Sequence, residues 1–341
     1  MAQRRAATQL DVARAAGVSR AAVSKVVRNA YGISPELRSR VEEKIRDLGY
    51  RPSLPARAIK GSSMTLGFEL RELETPALPR ILRGSTKASH EAGYQLVVAP
   101  TATSESRTGY EALEALVDLH VDGIVAVAPL VDPGWLERLA ERVPIVLLSR
   151  HDESRGYDTM AGNDEAGAAL AMQHLFSLGH RHIAHLTRGE DDMPEGLSTP
   201  LAVRLATYRK LMEASGYGQF TQVVRTPVGR REGYGVVRRL LKSAHRPTAL
   251  FAASDDLALD ALQACSELGL EAADLSVVGY DNIRVAGHPR ISLTTVDQSG
   301  EELGARAVRL LVQRVQGRTK PKHELTRPRL VVRGTTAPPR T

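Results

Sequence analysis

The sequence contains few of the residues on which several protein classes depend. A single cysteine, Cys265, occurs among 341 residues, which excludes a disulfide framework within one chain and a zinc site built on paired cysteines. Aromatic residues make up only 4% of the chain, and no run of about 18 uncharged apolar residues could span a membrane. Residues 1–30 lack the long apolar core of a signal peptide. We therefore expect a cytoplasmic protein without a membrane span.

Motifs of common enzyme active sites are missing as well. The chain has no phosphate-binding G-x-x-x-x-G-K-[ST], no G-x-S-x-G and no H-E-x-x-H. His180, His182 and His185 lie within six residues, but no cysteine or carboxylate completes a set with zinc-ligand spacing. The sequence thus predicts no metal site and no cofactor, and it favours a protein that is not an enzyme.

The excess positive charge is confined to the start of the chain. Residues 1–60 contain thirteen Lys/Arg and five Asp/Glu, whereas the rest of the chain contains 33 and 34. The formal net charge of +7 therefore comes from the N-terminal segment. A basic segment joined to a near-neutral body is typical of binding to nucleic-acid phosphates, although a solvated basic face without a partner would look similar.

Residues 8–27 predict two short helices joined by a tight turn. Thr8 and Asp11 form a capping-box pattern that starts the first helix, and Gly17 suits the left-handed residue that ends it. Ser19 can cap the second helix, whose basic side chains lie outside the apolar seam. A helix-turn-helix with a basic second helix is typical of a DNA-binding domain.

A third helix is predicted to close a small core over the first two. Ser34 is its cap, and Pro35 takes the first helical position. Its apolar stripe then recurs every three or four residues, at Leu37, Val41, Ile45 and Leu48.

The residues of this segment resemble a known family. The matching stretches are Asp11-Val12-Ala13, Ala16-Gly17-Val18-Ser19, Val23-Ser24, Leu48-Gly49-Tyr50, Pro52 and Ala56-Arg57. Together they resemble the headpiece of the lactose/galactose repressor (LacI/GalR) family. The resemblance implies a helix-turn-helix DNA-binding headpiece at residues 1–52. It also implies a hinge helix and linker at residues 53–61, which would fold in the minor groove of operator DNA.

The resemblance implies DNA-binding roles residue by residue. Arg20, Ala21 and Lys25 match positions that face base edges in the major groove. Ser19 and Ser24 match positions that touch phosphates.

Further DNA contacts are implied beyond the second helix. Arg28 stands where the family commonly has asparagine. Ile59 matches the apolar residue, usually leucine, that wedges into the central base step, and Arg57 suits the narrow minor groove. Ser53 and Ala56 belong to the same DNA-binding segment.

From residue 65 onward, short apolar strands alternate with helical stretches. The predicted strands are Thr65–Leu70, Gln95–Ala99, Gly123–Ala128, Ile145–Leu148, Ile183–Thr187, Gln222–Arg225, Ala249–Ala253 and Ser276–Tyr280. The predicted helices are Arg80–Ala92, Tyr110–Leu119, Glu165–Leu178, Val203–Ala214, Gly233–Lys242, Leu257–Leu268 and Glu301–Val315. This alternation predicts parallel sheets covered on both faces, and two successive series predict two lobes. Ligands of such folds bind at the carboxyl ends of the strands, here the cleft between lobes.

The body also resembles the same family. The matching stretches include Gly93-Tyr94, Val121-Asp122-Gly123-Ile124, Leu178-Gly179-His180 and Leu293-Thr294-Thr295-Val296. The implied fold is an N-terminal all-α helix-turn-helix headpiece followed by a two-lobed α/β effector domain, periplasmic-binding-protein-like, with two parallel doubly wound sheets. This ligand-binding and dimerisation domain would span residues 62–341. Its first lobe would comprise residues 62–160 and 291–320, and its second lobe residues 161–290 and 321–341.

The resemblance also implies effector contacts in the second lobe. Arg204 matches an arginine that commonly clamps effector hydroxyls or carboxylates, and Asp281 matches an acceptor after a strand. Ser254 and Asp255 lie at another strand end, where the family also binds its ligand. Arg204 and Asp281 could instead form a surface or inter-lobe ion pair.

One part of the family's effector site is weak in this chain. Pro76 and Leu78 match a first-lobe loop that often carries aromatic residues, and no aromatic residue stands there.

Trp135 is better explained as a packing residue of a first-lobe helix. The basic segment Arg318–Arg340 could be a second nucleic-acid site, but Leu330–Arg333 is more typical of an edge strand followed by a frayed tail.

The sequence therefore predicts a sequence-specific DNA-binding transcriptional regulator, a repressor that binds a palindromic operator as a homodimer. By resemblance, a small molecule such as a sugar or sugar derivative would control it from the cleft. Two alternatives stay open. A solute-binding protein of the same lobed fold would need an export signal and no headpiece, and a sugar-acting enzyme would need paired catalytic groups.

Overall fold

A computed structural model describes residues 7–27, 31–50, 62–71, 73, 75–101, 109–189, 196–226, 232–243 and 245–340. The chain divides into two compact units, with the boundary in the sequence between Ser63 and Met64. The predicted hinge helix at 53–61 and the predicted DNA contact Arg28 lie outside the described residues.

The N-terminal unit is a three-helix domain formed by α1 (Gln9–Ala16), α2 (Arg20–Val27) and α3 (Pro35–Asp47). The predicted capping box of α1 is confirmed, because the Thr8 hydroxyl accepts from the Asp11 amide and the Asp11 carboxylate accepts from the Thr8 amide. The predicted caps Ser19 and Ser34 accept from backbone N–H groups of α2 and α3. The three helices enclose one small core that includes Val12, Ala13, Ala16, Val23, Val26, Val41 and Tyr50.

The C-terminal unit contains alternating strands and helices, as the sequence predicts. In chain order the described elements are β1 (Thr65–Leu70), α4 (Leu78–Glu91), β2 (Gln95–Pro100), α5 (Tyr110–Asp118), β3 (Gly123–Val127), α6 (Pro133–Ala140), β4 (Ile145–Leu148), β5 (Asp158–Gly162), α7 (Asp164–Ser177), β6 (Ile183–Arg188), α8 (Pro200–Ala214), β7 (Gln222–Thr226), α9 (Glu232–Leu241), β8 (Ala249–Ala252), α10 (Asp255–Leu268), β9 (Ser276–Tyr280), β10 (Thr294–Asp297), α11 (Gly300–Val315), β11 (His323–Thr326) and β12 (Arg329–Val331). Short 3₁₀ turns occur at Gly218–Phe220 and Arg284–Gly287. Strands β5, β10 and β11 were not among the predicted strands, and helix α6 was predicted only as the first-lobe helix that carries Trp135.

These strands form two sheets, and each sheet is the centre of one lobe. The first sheet has the order β11-β5-β4-β3-β1-β2, with all pairs parallel. The second has the order β12-β10-β9-β8-β6-β7, and only the edge strand β12 runs antiparallel to its neighbour. Each sheet has an apolar cluster on both faces, which confirms the predicted doubly wound, two-lobed fold.

The predicted lobe boundaries near the C-terminus are wrong. Strand β10 belongs to the second sheet, where Thr294 pairs with Val278, although residues 291–320 were assigned to the first lobe. Strand β11 belongs to the first sheet, where His323 pairs with Thr159, although residues 321–341 were assigned to the second lobe. The chain therefore crosses between lobes after β5, after β10 and after β11. A buried strand has the same apolar pattern in either sheet, so the sequence pattern does not decide which sheet it joins.

The C-terminal segment is packed against the second lobe rather than frayed. Strand β12 confirms the predicted edge strand, and residues beyond it continue along the lobe. The amide of Val277 donates to the carbonyl of Thr335 at 2.8 Å, and the amide of Ala337 donates to the Ser276 hydroxyl at 2.9 Å. These bonds supply backbone partners that a solvated tail would lack.

Two glycines bring α4 and α11 of the first lobe into close contact. A Cβ atom added at Gly84 would lie 1.8 Å from the carbonyl oxygen of Glu301, and one at Gly304 would lie 2.1 Å from that of Ile81. The backbones can approach so closely only because both positions lack a side chain. No helix among the described residues is long and apolar enough to cross a membrane.

Candidate effector cleft and DNA-binding surface

The exposed side of α2 carries most of the predicted major-groove contacts. Ser19, Arg20, Ala21 and Lys25 are all exposed in the headpiece. The Arg20 side chain also reaches back toward α1, where its Nε atom lies 3.5 Å from Gln9 Oε1. An exposed helix with basic side chains offers donors both for base edges and for phosphates.

Ser24 is not brought together with these residues. It is only 7% exposed, and its neighbours Val23 and Val26 belong to the core of the headpiece. The predicted contact between Ser24 and a phosphate is therefore not supported by its position, because α2 turns this residue toward the other helices. The hinge residues Ser53, Ala56, Arg57 and Ile59 fall among residues that the structure does not describe.

A cavity of about 320 Å³ opens between the two lobes of the C-terminal unit. Strand ends from both sheets surround it, as expected for parallel α/β folds. Five of the six predicted effector residues line it: Pro76, Leu78, Arg204, Ser254 and Asp281. The structure therefore brings the predicted first-lobe loop and the predicted second-lobe polar residues together in one cleft.

Arg204, on α8, is held at the back of the cleft by several contacts. Its Nε and Nη2 atoms lie 2.8 and 2.7 Å from one carboxylate oxygen of Asp164, and its Nη1 donates to the carbonyl of Ala253 at 2.6 Å. The guanidinium carbon lies 3.5 Å from the centre of the Tyr280 ring. These contacts hold the guanidinium in one orientation in the wall of the cavity.

The pair of Arg204 and Asp164 is buried but stays ionised. Burial would lower the pKa of Arg204, but the Asp164 carboxylate raises it. Burial would likewise raise the pKa of Asp164, but Arg204 and His151 hold it below its usual value. The predicted alternative, a surface or inter-lobe ion pair, is not what the structure shows for Arg204, because its partner Asp164 is buried and lies in the same lobe.

Asp281 lies at the end of β9 and has a different environment. Its Oδ1 atom accepts a hydrogen bond of 2.6 Å from the Gln298 amide, and the residue is only 9% exposed. Burial raises the pKa of Asp281 well above its usual value, although Arg204 opposes this effect. The raised pKa favours the protonated acid, which could both donate to and accept from a bound hydroxyl group.

Three residues that line the cleft have a left-handed backbone without being glycine. Ala128, Ser149 and Asp281 follow or end strands β3, β4 and β9, with φ angles of 45°, 60° and 111°. Each such conformation costs on the order of 1–3 kcal/mol, and strained residues cluster at functional sites. The strain supports a binding role for this edge of the sheets.

Several polar residues of the cleft were not predicted from the sequence. Arg71, Arg188 and Asp256 line it, and Arg188 bonds to Asp256 at 2.5 Å. Gln298 and Ser149 line it as well. Their positions after or at the ends of strands could have placed three of them at the cleft. Arg71 and Ser149 directly follow β1 and β4, and Arg188 ends β6. No described residue that lines the cleft is aromatic, in agreement with the scarcity of aromatics in the chain.

Asp255 is the one predicted effector residue that does not line the cavity. It is fully buried, and its carboxylate accepts from the Thr295 hydroxyl at 2.5 Å and from the Ile283 amide at 2.8 Å. Asp255 therefore ties α10 to strand β10 and to the segment that follows β9. Its neighbour Asp256, one residue further along α10, faces the cavity instead.

Replacement of Asp255 should change stability without changing effector binding. Burial raises the pKa of Asp255 to about 7, so the ionised form is disfavoured in the folded state. Between the unfolded pKa near 4 and the folded value, the folded state binds the extra proton, and stability falls as pH rises. The asparagine of Asp255→Asn can still hydrogen-bond to Thr295 and Ile283 but does not titrate, so stability should depend less on pH. The variant should gain most in stability over the natural chain above pH 7.

Urea denaturation across pH 5–9 measures this effect. Asp255→Ala serves as the matched variant, and it should lose roughly 1–3 kcal/mol because the buried Ile283 amide loses its acceptor. A weaker affinity of Asp255→Asn for the effector, at unchanged stability, would instead return Asp255 to the binding site.

Other residues singled out by the sequence have structural positions. Trp135 packs edge-on against Tyr110, with 4.7 Å between ring centres, as predicted. His180 bonds to Thr248 and to the carbonyl of Ala337, and burial lowers the pKa of His185 to about 3. Among the described residues, no group of three His, Cys, Asp or Glu side chains could hold a metal ion.

A basic helix-turn-helix domain joined to two parallel-sheet lobes around a polar cleft defines an effector-controlled DNA-binding regulator. Residues 8–53 match the model of bacterial regulatory proteins of the lacI family, and residues 172–336 match a periplasmic binding protein-like domain. The chain belongs to the LacI family. It is thus a DNA-binding repressor controlled by a small-molecule effector.

Individual relatives are similar to this protein over nearly the whole length of its chain. The ribose operon repressor of Escherichia coli (strain K12) is 32% identical over 314 residues, which cover 91% of this chain and 93% of that protein. The repressor PurR of Histophilus somni (strain 129Pt) is 29% identical, covering 96% and 98%. The crystal structure of the Lac repressor dimer bound to operator and the anti-inducer ONPF has a TM-score of 0.81 at 28% identity, covering 98% of this chain and 100% of that one.

Proposed function

We propose that this repressor responds to a monosaccharide or monosaccharide derivative and binds a palindromic operator as a homodimer in the cytoplasm. The observation that carries the effector class is the lining of the cleft. Arg204 offers a guanidinium, Asp281 a carboxyl group and Gln298 an amide, and Ser149 and Ser254 offer hydroxyls. Such groups suit a ligand rich in hydroxyls, which would be held by hydrogen bonds rather than by ring stacking.

The size of the cavity supports a small ligand. Its volume of about 320 Å³ is near the lower end of the range of about 300–1,000 Å³ that is typical of ligand pockets. The names of two similar proteins point the same way. One is the ribose operon repressor, and the other is a LacI family regulator from Enterococcus faecium solved with bound ribose, at 25% identity and a TM-score of 0.70. Ribose is therefore the first ligand to test.

We further propose that the cleft binds its ligand without turning it over. The acidic side chains around it each have a partner: Asp164 pairs with Arg204, Asp256 with Arg188, and Asp281 with Gln298. A pair of carboxylates free to act as acid and base on one substrate is what a sugar-acting hydrolase would require. These pairings favour recognition over catalysis.

The effector must act by binding two arrangements of the protein with different affinity, since equal affinity would shift nothing. The cleft is formed by both lobes, so a ligand there senses how the lobes are arranged. A homodimer would present two headpieces, and its two-fold symmetry would require an inverted repeat in the operator.

Selection of bound DNA from a random pool, with and without ribose and other monosaccharides, tests the proposal. We expect a single inverted-repeat site whose recovery changes when the active sugar is present. Enrichment of an asymmetric site would contradict the dimer. Enrichment that no monosaccharide changes, together with no heat of binding to any of them, would contradict the effector class.

Arg20→Ala should relax base preference at one position in each half-site. A bidentate contact between arginine and guanine contributes roughly 1–3 kcal/mol of discrimination, and Arg20 is exposed at the start of α2. The measurement is binding to a library of half-site variants by fluorescence anisotropy. Arg40→Ala, which removes a charge that is also exposed, from α3, is the control and should keep the same preferences. Identical preferences for both variants would remove the base-reading role of Arg20.

A further inference from the structure

His151 belongs to the first lobe but makes its contacts with the second. It lies in the segment 149–157 between β4 and β5. Its ring Nε2 is 2.9 Å from Asp164 Oδ2, and its backbone amide donates to the carbonyl of Ser198 at 3.1 Å. Asp164 begins α7 and Ser198 precedes α8, and both helices pack in the second lobe.

The segment that carries His151 is fixed to the first lobe. The neighbouring Arg150 is fully buried, and its Nη1 donates to the carbonyls of Pro129 and Val131 at 2.8 and 2.9 Å. The Asp152 carboxylate accepts from Arg150 Nε at 2.9 Å and from the Tyr157 hydroxyl at 2.8 Å. His151 is therefore held by a rigid support, so a movement of the first lobe would carry it along.

Asp164 connects this histidine to the effector arginine. One of its oxygens faces His151, and the other is held by Nε and Nη2 of Arg204. The carboxylate is 1% exposed, so neither oxygen is free to turn toward solvent. Asp164 also directly follows the crossing from β5 to α7, which is a point about which the lobes can rotate.

We propose that His151 is a positioning residue that couples the effector arginine to the arrangement of the lobes. This inference rests on the proposed effector site. In the arrangement seen here, His151 holds Asp164, and Asp164 holds Arg204 facing the cavity. A rotation of the lobes about the crossings changes the distance between His151 and Asp164. His151, Asp164 and Arg204 thus form a bridge between the lobes. Ligand contact with Arg204 changes the stability of this bridge, and by linkage the bridge changes ligand affinity.

The test compares His151→Leu with His151→Gln. Leucine removes the bond to Asp164, whereas the glutamine amide can still donate to it. Operator affinity is measured with and without ribose, and ribose affinity by calorimetry. We expect His151→Leu to reduce the ratio of the two operator affinities by about tenfold, within the usual range of coupling between sites. His151→Gln should recover most of that ratio, and His90→Leu, at an exposed position on α4, should match the natural chain.

A second measurement needs no ligand. Hydrogen exchange of the ligand-free protein should become faster in residues 196–205 of His151→Leu and return to the natural rate in His151→Gln. Unchanged exchange in the leucine variant would overturn the bridge, whatever ribose does. Faster exchange with an unchanged operator ratio would overturn the coupling. If the natural chain ignores ribose but the exchange result holds, the sugar proposal fails while the bridge stands.

Discussion

Replacing Arg204 with alanine should abolish the response to the effector and lower the free energy of unfolding by roughly 3–5 kcal/mol. Both effects come from the same geometry. Arg204 and Asp164 are 4% and 1% exposed, so removal of the arginine leaves a buried carboxylate without its cation. The variant also loses the guanidinium that faces the cavity and lies against the Tyr280 ring. Urea denaturation and operator titrations with and without ribose measure the two losses.

The two losses can be separated by a second substitution. In Arg204→Ala/Asp164→Asn the unpaired charge is gone, so most of the lost stability should return, while the effector response stays absent. Arg209→Ala is the matched control, since it removes an exposed arginine from the same helix and should change neither property. A normal effector response in the folded double variant would contradict the assignment of Arg204 to the effector site.

Local features of the fold were predictable because their causes are local. The capping box at Thr8 and Asp11 and the left-handed Gly17 depend on residues close in sequence, and both appear as expected. The strand and helix alternation was visible for the same reason. Residues directly after strands, such as Ser254, could also be placed at the cleft, because parallel strands end at one edge of a sheet.

Features that depend on distant partners were not predictable in this way. Strand β10 could have joined either sheet, and only its pairing with β9 decides the matter. Asp255 and Asp256 are adjacent and chemically alike, but one helical step of about 100° turns the first into the core and the second into the cavity. Ser24 was placed on DNA by resemblance, whereas the packing of α2 buries it.

Gly84→Ala should destabilise the first lobe by about 3 kcal/mol or more, because the added methyl group would clash with backbone atoms, which cannot move aside as a flexible side chain can. The added Cβ would lie 1.8 Å from the Glu301 carbonyl oxygen, so α4 and α11 must separate. Since α4 also carries Leu78 and Ile81 into the cleft, effector affinity should fall together with stability.

Gly235→Ala is the matched control for this substitution. Gly235 is also helical, in α9, but the nearest atom to its added Cβ would be the flexible end of Arg239, 3.7 Å away. Alanine should therefore stabilise that helix by roughly 0.5–1 kcal/mol, because it restricts the unfolded chain without a clash. Urea midpoints of the two variants should thus move in opposite directions. Equal midpoints would mean that α4 and α11 can separate at little cost, and the close glycine contact would then not be what fixes the first-lobe wall of the cleft.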